Sequence, residues 1–285
     1  MKRKIVLLML LLILLVPNFS YAEVNTQDEI LVSLVEPTNR KIGKTFDKDE
    51  YILMQDKGSL IINFEPSKEG LYKVWITKDG VFTSYVLNNG ITEIPFSLGQ
   101  GIYKIEILKH KKANKYTIRA RNTFEVTSLK ETDVYLGNHE KVNWKKSSKT
   151  TKLAKELTKD SKTSKDMVNK IYDYIVQNID YDYAKLNNYP DNYLPNLDDI
   201  LLKQKSICYD YASLFAGMLR SIGISTKLVM GYVKGYDGSF HAWNEVYLDG
   251  KWIVVDTTFD AGYRALGIKY EMDKVSGDYR GVKWY

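Results

Sequence analysis

The sequence is poor in cysteine and histidine. It holds one cysteine and three histidines in 285 residues. A single cysteine excludes an internal disulfide and leaves the thiol free for chemistry. So few cysteines and histidines leave no cluster with the spacing of metal ligands. Repeats, a phosphate-binding loop and a carboxylate pair suited to sugar cleavage are missing from the sequence too. We therefore expect no metal site and no other cofactor.

Long apolar runs are also missing, with one exception near the N-terminus. A basic stretch at residues 2–4 precedes the apolar residues 5–16, and small residues end at Ala22. Twelve apolar residues are too few to span a bilayer comfortably, and the layout is typical of a secretory signal, residues 1–22. No cysteine follows, which argues against a lipid-anchored bacterial lipoprotein, whereas an uncleaved anchor stays open. The sequence predicts a bacterial protein that is secreted or held at the cell surface.

Neither sign of charge is in strong excess. The formal net charge is +6, and loss of the three basic residues at positions 2–4 would lower it to +3. This balance gives little reason to expect nucleic acid as a partner. After cleavage of the signal we expect no membrane partner either. The expected partner is a protein or peptide substrate, which includes peptides of the cell wall.

The chain divides into an N-terminal β-rich part, a polar stretch and a C-terminal part. The β-rich runs, which turn residues separate, are 60–64, 71–77, 81–87, 102–108 and 116–126. They predict an Ig-like β-sandwich over residues 23–128, acting as a spacer or as a binding module. The lysine-rich stretch 129–163 is predicted as a linker with a short helix at 151–157, and its lysines as a solvated face or a contact for an anionic wall polymer. Residues 164–285 form the remaining domain.

Two β-rich runs in the C-terminal domain read as a hairpin. Residues 241–248 and 251–258 are separated by Asp249 and Gly250, the pair favoured in a two-residue type I′ turn. That turn would oppose position 248 to position 251, so the numbers of opposed residues would sum to 499. The second run is predicted to leave the sheet over residues 259–262.

This register places a histidine and an aspartate together. His241 would oppose Thr258, and Asp256 would oppose Trp243, with all four side chains on one face. His241 and Asp256 would be diagonal neighbours, roughly 7 Å apart at the backbone. Such a diagonal is within reach of a carboxylate–imidazole hydrogen bond. Asn244 falls on the opposite face and is a poor candidate for the same role.

The one cysteine lies where a helix is expected to begin. Apolar residues at helical spacing follow Cys208, and Gly223 is the expected stop. In the first turn, unpaired backbone N–H groups and the positive end of the helix dipole favour thiolate over thiol. The N–H of Cys208 could also donate to an oxyanion on an attacked acyl carbon.

Each of these residues also has a purely structural interpretation. A lone cysteine is often an inert core residue, a strand histidine is often structural, and Asp256 could simply cap the end of its strand. His110 and His139 are both predicted to be solvated. What favours a functional interpretation is the combination of a helix-start cysteine with a histidine and an aspartate on one face, an arrangement suited to nucleophilic catalysis.

At these residues the chain resembles the transglutaminase-like superfamily. The matching stretches are 208–212, 218–224, 241–246 and 252–258, and the resemblance extends from about residue 164 to 262. It implies an α+β architecture with a papain-like core, in which a cysteine at a helix N-terminus meets histidine and aspartate on adjacent strands. Members usually have glycine two residues before the cysteine, where this chain has Ser206. The turn into the helix is therefore expected to differ.

The resemblance also implies roles for individual residues. Cys208 would attack a carbonyl, His241 would shuttle the proton, and Asp256 would orient the imidazole. Asp260 is the rival for the third role. For substrate contacts, Trp243 is expected to wall the acyl pocket or to fill the edge of the cleft, and Tyr193 to line the cleft from the loop 181–196.

The acceptor of the acyl group defines the reaction. If an amine attacks the acyl-enzyme, the protein is a transglutaminase, which the resemblance favours. If water attacks it, the protein is a cysteine peptidase or amidase. A non-catalytic surface-binding protein is the third possibility.

Overall fold

A computed structural model describes residues 42–285, except residues 47, 48, 57, 67, 146, 191 and 237. The predicted signal peptide, residues 1–22, lies outside the described residues. Across the part of the chain that is described, no helix has both the length and the apolar character needed to cross a bilayer.

Strands and helices follow one another in three stretches. The first holds the strands β1 (Ile42–Phe46), β2 (Asp49–Asp56), β3 (Ser59–Glu65), β4 (Tyr72–Lys78), β5 (Val81–Leu87), β6 (Gly90–Pro95), β7 (Gly101–Lys112) and β8 (Lys115–Val126). The second is mostly helical, with α1 (Glu131–Val134), α2 (Ser148–Thr158), α3 (Ser164–Asn178), β9 (Asp180–Tyr181), α4 (Tyr183–Leu186), α5 (Leu197–Lys203), β10 (Lys205–Ser206) and α6 (Cys208–Ser221). The third holds β11 (Thr226–Val233), β12 (His241–Leu248), β13 (Lys251–Val255), α7 (Thr257–Ala265), β14 (Asp273–Lys274), a short 3-10 turn (Ser276–Asp278) and β15 (Tyr279–Trp284).

The N-terminal strands form two antiparallel sheets. Their strand orders are β1-β2-β3-β6 and β5-β4-β7-β8. Inward-facing side chains of both sheets share one hydrophobic core, to which Ile62 and Phe64 contribute from one sheet and Val74 and Ile105 from the other. The region is therefore built as two packed sheets, and every strand expected from the sequence is present in it. Three strands, β1, β2 and β6, had no clear signal.

The C-terminal part combines a five-stranded antiparallel sheet with helices. The strand order is β14-β13-β12-β11-β15. Helix α6 lies at the centre of this part, since every residue from Asp210 to Arg220 is buried. An amide ties the helix to the sheet: Asn244 Nδ2 on β12 donates to the carbonyl oxygens of Ala212, at 2.9 Å, and Lys227, at 3.0 Å. The α+β fold class is confirmed, and the start of α6 is fixed close to β12.

The lysine-rich stretch differs from the linker predicted for residues 129–163. It contains α2, whose Ala154 is fully buried in the same core as Leu214 and Phe215 of α6. The carboxylate of Asp198 accepts hydrogen bonds from the backbone N–H and the hydroxyl of Thr150 in the first turn of α2, both at 2.8 Å. The short helix predicted at 151–157 is present as the longer α2, and its charged residues cover only its outer face.

The hairpin between β12 and β13 confirms the predicted register. Leu248 pairs with Lys251, and Asn244 pairs with Val255. Asp249 and Gly250 have φ values of 51° and 83°, which is the sign that a type I′ turn requires at both positions. The predicted continuation of the strand was wrong, because β13 ends at Val255. The sheet pairing of Thr258 with His241 and of Asp256 with Trp243 is consequently not formed.

Candidate active site

Cys208 is the first residue of α6, as the sequence predicted. The chain reaches it through β10, which pairs in parallel with β9, and the N–H of Asp182 donates to the carbonyl of Ser206 at 2.8 Å. Ile207 is the N-cap residue with extended backbone, and its N–H donates to the Asp210 carboxylate at 3.2 Å. The Cys208 side chain is half-buried. It therefore lies where helix N–H groups converge and remains accessible to a small reagent.

Ser206 occupies the position at which the superfamily usually has glycine. It is fully buried in the short strand β10 and does not have a positive φ value. Because the backbone is extended at this point, a side chain fits without strain. Its hydroxyl finds no hydrogen-bond partner among the described residues. Serine is therefore compatible with the backbone that leads into α6.

His241 and Asp256 are joined by a short hydrogen bond. Nε2 of His241 lies 2.8 Å from Oδ2 of Asp256, and both side chains are buried. Asp256 is the N-cap of α7, so its other oxygen, Oδ1, accepts the N–H groups of Thr258 at 3.1 Å and Phe259 at 3.0 Å. The helix holds the carboxylate in place while Oδ2 faces the imidazole.

The Cys208 side chain lies beside the imidazole of His241 and interacts with it. Because Nε2 is engaged with Asp256, Nδ1 is the ring atom left for the sulfur. Burial lowers the pKa of His241, but the charge and hydrogen bond of Asp256, together with Cys208, raise it to about 10. The imidazole is therefore cationic at neutral pH. Of the three residues chosen from the sequence, His241 and Asp256 are joined by a hydrogen bond, and Cys208 lies next to the imidazole.

Aromatic rings enclose the imidazole. Phe259 stacks on His241 with centroids 4.4 Å apart and planes 11° apart, and Tyr236 contacts it at 5.6 Å. Trp243 lies nearly parallel to His241 at 6.4 Å and is only 1 % exposed. The expectation that Trp243 walls the acyl pocket therefore does not fit, because its ring is covered by protein. It packs beside the imidazole as part of the core.

Tyr193 does not point into the site with a free hydroxyl. Its OH donates to Oδ1 of Asp210 at 2.6 Å and accepts from Nζ of Lys185 at 2.7 Å. The same Lys185 forms an ion pair with the buried Asp210 at 2.5 Å. These contacts brace the first turn of α6. The hydroxyl is therefore engaged within the protein, and a substrate contact through the rest of the Tyr193 side chain stays a prediction.

The rival carboxylate, Asp260, belongs to a different group. It accepts from Tyr172 at 2.7 Å and from Lys274 at 2.5 Å. Burial raises the pKa of Asp260, although Lys274 and Tyr172 oppose that rise. Because these partners take both of its oxygens, Asp260 ties α7 to α3 and β14. Among the described carboxylates, Asp256 is the one that hydrogen-bonds His241.

The structure adds Tyr279, for which the sequence gave no signal. Its hydroxyl donates to Oδ2 of Asp256 at 3.1 Å. Tyr279 begins β15, in a C-terminal stretch without a recognisable motif. Only pairing of β15 with β11 brings it to the site.

His139 is buried, which corrects the expectation of a solvated side chain. Its ring lies between Tyr85 of the β-rich region, at 5.9 Å, and Tyr285, at 5.2 Å. Nδ1 accepts the N–H of Lys141 at 3.1 Å. Burial and the nearby cations Lys141 and Arg220 hold the pKa of His139 well below its usual value. It is a structural residue of the interface between the two parts of the chain.

No group of three or more His, Cys, Asp and Glu side chains arranged to hold a metal ion occurs among the described residues. The protein groups of the candidate site are a thiol, an imidazole, a carboxylate and the phenol behind it.

Comparison with known proteins identifies a family for the part of the chain that holds these residues. Residues 151–257 match the family model of the transglutaminase-like superfamily. Over 150 residues the chain is 35 % identical to the kyphoscoliosis peptidase of Homo sapiens and 34 % identical to that of Mus musculus. Each match covers 48 % of this chain and 22 % of the relative, so the chain spans about a fifth of those proteins.

Solved structures of similar proteins were also found. The periplasmic domain of TgpA from Pseudomonas aeruginosa is 15 % identical, with 78 % of this chain and 74 % of that chain covered and a TM-score of 0.38. Red sea bream transglutaminase is 12 % identical, with 70 % and 47 % covered and a TM-score of 0.32.

Proposed function

We propose, from the premise that residues 151–257 form a transglutaminase-like domain, that this protein is a Cys-His-Asp acyl-transfer enzyme. Its substrates are proteins or cell-wall peptides, and it works through a thioester acyl-enzyme. The observation that carries the proposal is the position of the His241 imidazole: its Nε2 lies 2.8 Å from Oδ2 of Asp256, and the Cys208 side chain lies beside the ring and raises its pKa.

The geometry supports a role for each residue. The Cys208 sulfur attacks the acyl carbon of the substrate, and the carbonyl oxygen takes the negative charge, to which the N–H of Cys208 can donate. As the tetrahedral intermediate collapses, the protonated His241 gives its proton to the leaving amine, and the thioester remains. Asp256 keeps the imidazole oriented and stabilises its positive charge. An incoming amine or water then attacks the thioester, passes a proton to His241 and releases the thiolate.

An amine acceptor is our leading proposal. A purified chain would be given a glutamine-containing protein and a labelled primary amine. Incorporation of the amine with release of ammonia supports acyl transfer, whereas new chain ends without incorporation would reject it. The same assay on His241→Ala controls for amine that becomes attached without enzyme.

A cysteine peptidase or amidase is the second candidate. It is supported by the 35 % identity to a protein named as a peptidase. With water as the acceptor, the same acyl-enzyme would give new chain ends, so the assay above separates the two reactions.

A third candidate, a non-catalytic surface-binding protein, makes a different prediction for the thiol. A thiol-reactive probe at mildly acidic pH should label Cys208 stoichiometrically if the thiolate–imidazolium pair forms, and labelling should be lost in His241→Ala. An inert thiol in the folded wild-type protein would favour the binding protein.

We further propose that the protein is exported and acts at or beyond the cell surface. The support is the signal-like pattern of residues 1–22. N-terminal sequencing of the protein recovered from the producing cells and from their medium tests it, with an expected mature N-terminus at Glu23. An N-terminus at Met1 would reject cleavage.

A further inference from the structure

The Asp256 carboxylate accepts four hydrogen bonds, and one of them comes from Tyr279. Oδ1 takes the two N–H groups at the start of α7. Oδ2 takes His241 Nε2 at 2.8 Å and the Tyr279 hydroxyl at 3.1 Å. Tyr279 and His241 therefore share one oxygen. A change in the strength of either bond must change the charge that the other partner meets.

A glycine makes room for Tyr279 behind Asp256. The pairing of β15 with β11 shifts in register between Met230 and Gly231. A Cβ atom on Gly231 would lie 2.1 Å from the carbonyl oxygen of Arg280, the residue after Tyr279, and 2.8 Å from the Trp243 ring. Trp243 also contacts the Tyr279 ring at 5.2 Å. The close approach of β15 to β11 therefore fixes the phenol in its place.

Tyr279 can act only as a donor to Asp256 at ordinary pH. Burial raises the pKa of Tyr279 far above its usual value, and the charge of Asp256 raises it further. The phenol keeps its proton while Asp256 is ionised. The hydrogen bond therefore runs in one direction, from the hydroxyl to Oδ2.

We propose that Tyr279 is a positioning residue of the proposed acyl-transfer reaction and acts through Asp256. It directs one lone pair of Oδ2 away from the imidazole and takes up part of the carboxylate charge that faces His241. Without it, Asp256 holds the Nε2 proton and stabilises the positive charge of the imidazolium more strongly. The Nδ1 proton is then given up less readily, and the leaving amine is protonated more slowly. The inference rests on the proposed function for its catalytic consequence, but not for its effect on the histidine.

Other titratable groups also face this pair, and all of them stay in place in the test. Cys208 approaches the imidazole from α6, and Tyr236 approaches it from the loop between β11 and β12. Asp260 and Tyr263 act on Tyr279 from α7. Within the described part of the chain, none of these four donates a hydrogen bond to Asp256.

The test compares Tyr279→Phe with Tyr172→Phe in the full chain. Tyr172 donates to the buried Asp260 at 2.7 Å, so its variant also loses a tyrosine–carboxylate bond, but away from His241. The imidazole signals of the three histidines are followed by NMR against pH, and loss of one signal in His241→Gln assigns it. Thermal unfolding of each variant confirms that it is folded.

We expect the pKa of His241 to rise by about half a unit or more in Tyr279→Phe and to stay unchanged in Tyr172→Phe. Replacing Tyr279 by a fluorinated tyrosine, whose hydroxyl is a stronger donor, should lower it. Once a substrate is identified, kcat of Tyr279→Phe should be several-fold lower than that of the wild type, while KM stays within about twofold of the wild-type value. An unchanged or lowered His241 titration in a folded Tyr279→Phe would overturn the inference.

The two proposals fail in different ways. The titration needs no substrate. If the protein shows no acyl transfer but the pKa of His241 still changes in Tyr279→Phe, the proposed function is rejected and the effect of Tyr279 on His241 is supported. If the protein is active but the pKa of His241 is the same in Tyr279→Phe, the proposed function is supported and the effect of Tyr279 is rejected.

Discussion

The imidazole of His241 and the carboxylate of Asp256 meet at 2.8 Å although Asp256 lies just beyond the end of its strand. The contact exists because Asp256 is also the N-cap of α7, which turns the chain sharply after Val255. One side chain thus begins a helix and orients an imidazole. Substitutions can separate these two roles.

Asp256→Asn should remove the second role and keep the first. The amide retains an oxygen for the N–H groups of Thr258 and Phe259, and asparagine is as good an N-cap as aspartate. Without the negative charge, the positive charge of His241 loses its support, and we expect activity to fall by up to about 10⁴-fold. Steady-state kinetics and thermal unfolding check this.

Asp260→Asn is the matched control for that variant. It weakens the contacts with Tyr172 and Lys274, so stability should fall while the activity of the folded protein stays near that of the wild type. A larger activity loss in Asp260→Asn than in Asp256→Asn would contradict the assignment.

Cys208→Ala should abolish turnover and leave the fold intact. Alanine suits the first turn of a helix, and the cysteine side chain is only half-buried. We expect a loss on the order of 10⁴-fold or more in kcat, with circular dichroism and unfolding like those of the wild type. Substantial activity in the variant would disprove the mechanism.

His139 should make the protein less stable in acid. Its folded-state pKa lies well below the usual value of 6.5, so below that pH the unfolded chain binds a proton that the folded chain does not. The free energy of unfolding should therefore decrease as pH falls below about 6.5, by at most about 1.4 kcal/mol per pH unit from this group. Urea unfolding of the wild type and of His139→Gln, between about pH 7 and about pH 5, measures the effect.

The variant is expected to lose this part of the pH dependence. Because the glutamine side chain does not titrate, the stability of His139→Gln should fall less over the same range. Parallel curves for the two proteins would show that the histidine is not the cause.

Gly231→Ala should destabilise the protein and shift Tyr279, which bonds Asp256 from β15. The added Cβ would meet the Arg280 carbonyl oxygen and the Trp243 ring, so β15 must move away from β11. Overpacking of this kind costs roughly 1–3 kcal/mol. Thermal unfolding and the His241 titration should both shift.

Gly262→Ala on α7 is the control for the extra methyl group. A Cβ there meets nothing within 4 Å, and alanine favours a helix over glycine by up to about 1 kcal/mol. It should be neutral or stabilising. Equal destabilisation by both variants would reject the steric explanation.

The parts of the site that local sequence determines could be predicted. The turn at Asp249 and Gly250 sets the register of β12 and β13, and so brings His241 near Asp256. The apolar spacing after Cys208 marks α6. Both inferences needed only short-range rules.

Other features depend on contacts between distant segments. Thr257 and Thr258 are β-branched, so the sequence pattern predicted that the strand continues through them. The start of α7 was therefore missed. Asp256 is itself a residue type that signals a helix N-cap. Burial of His139 depends on Tyr85, and the position of Tyr279 depends on β15 reaching β11. Neither has a local pattern.

The bond from Tyr279 to Asp256 also links the outermost strand on one side of the sheet to the candidate site. Asp256 has all four of its hydrogen-bond donors only when β15 is docked on β11. Any loosening of that edge strand would therefore reach His241 without a change in a residue that contacts substrate.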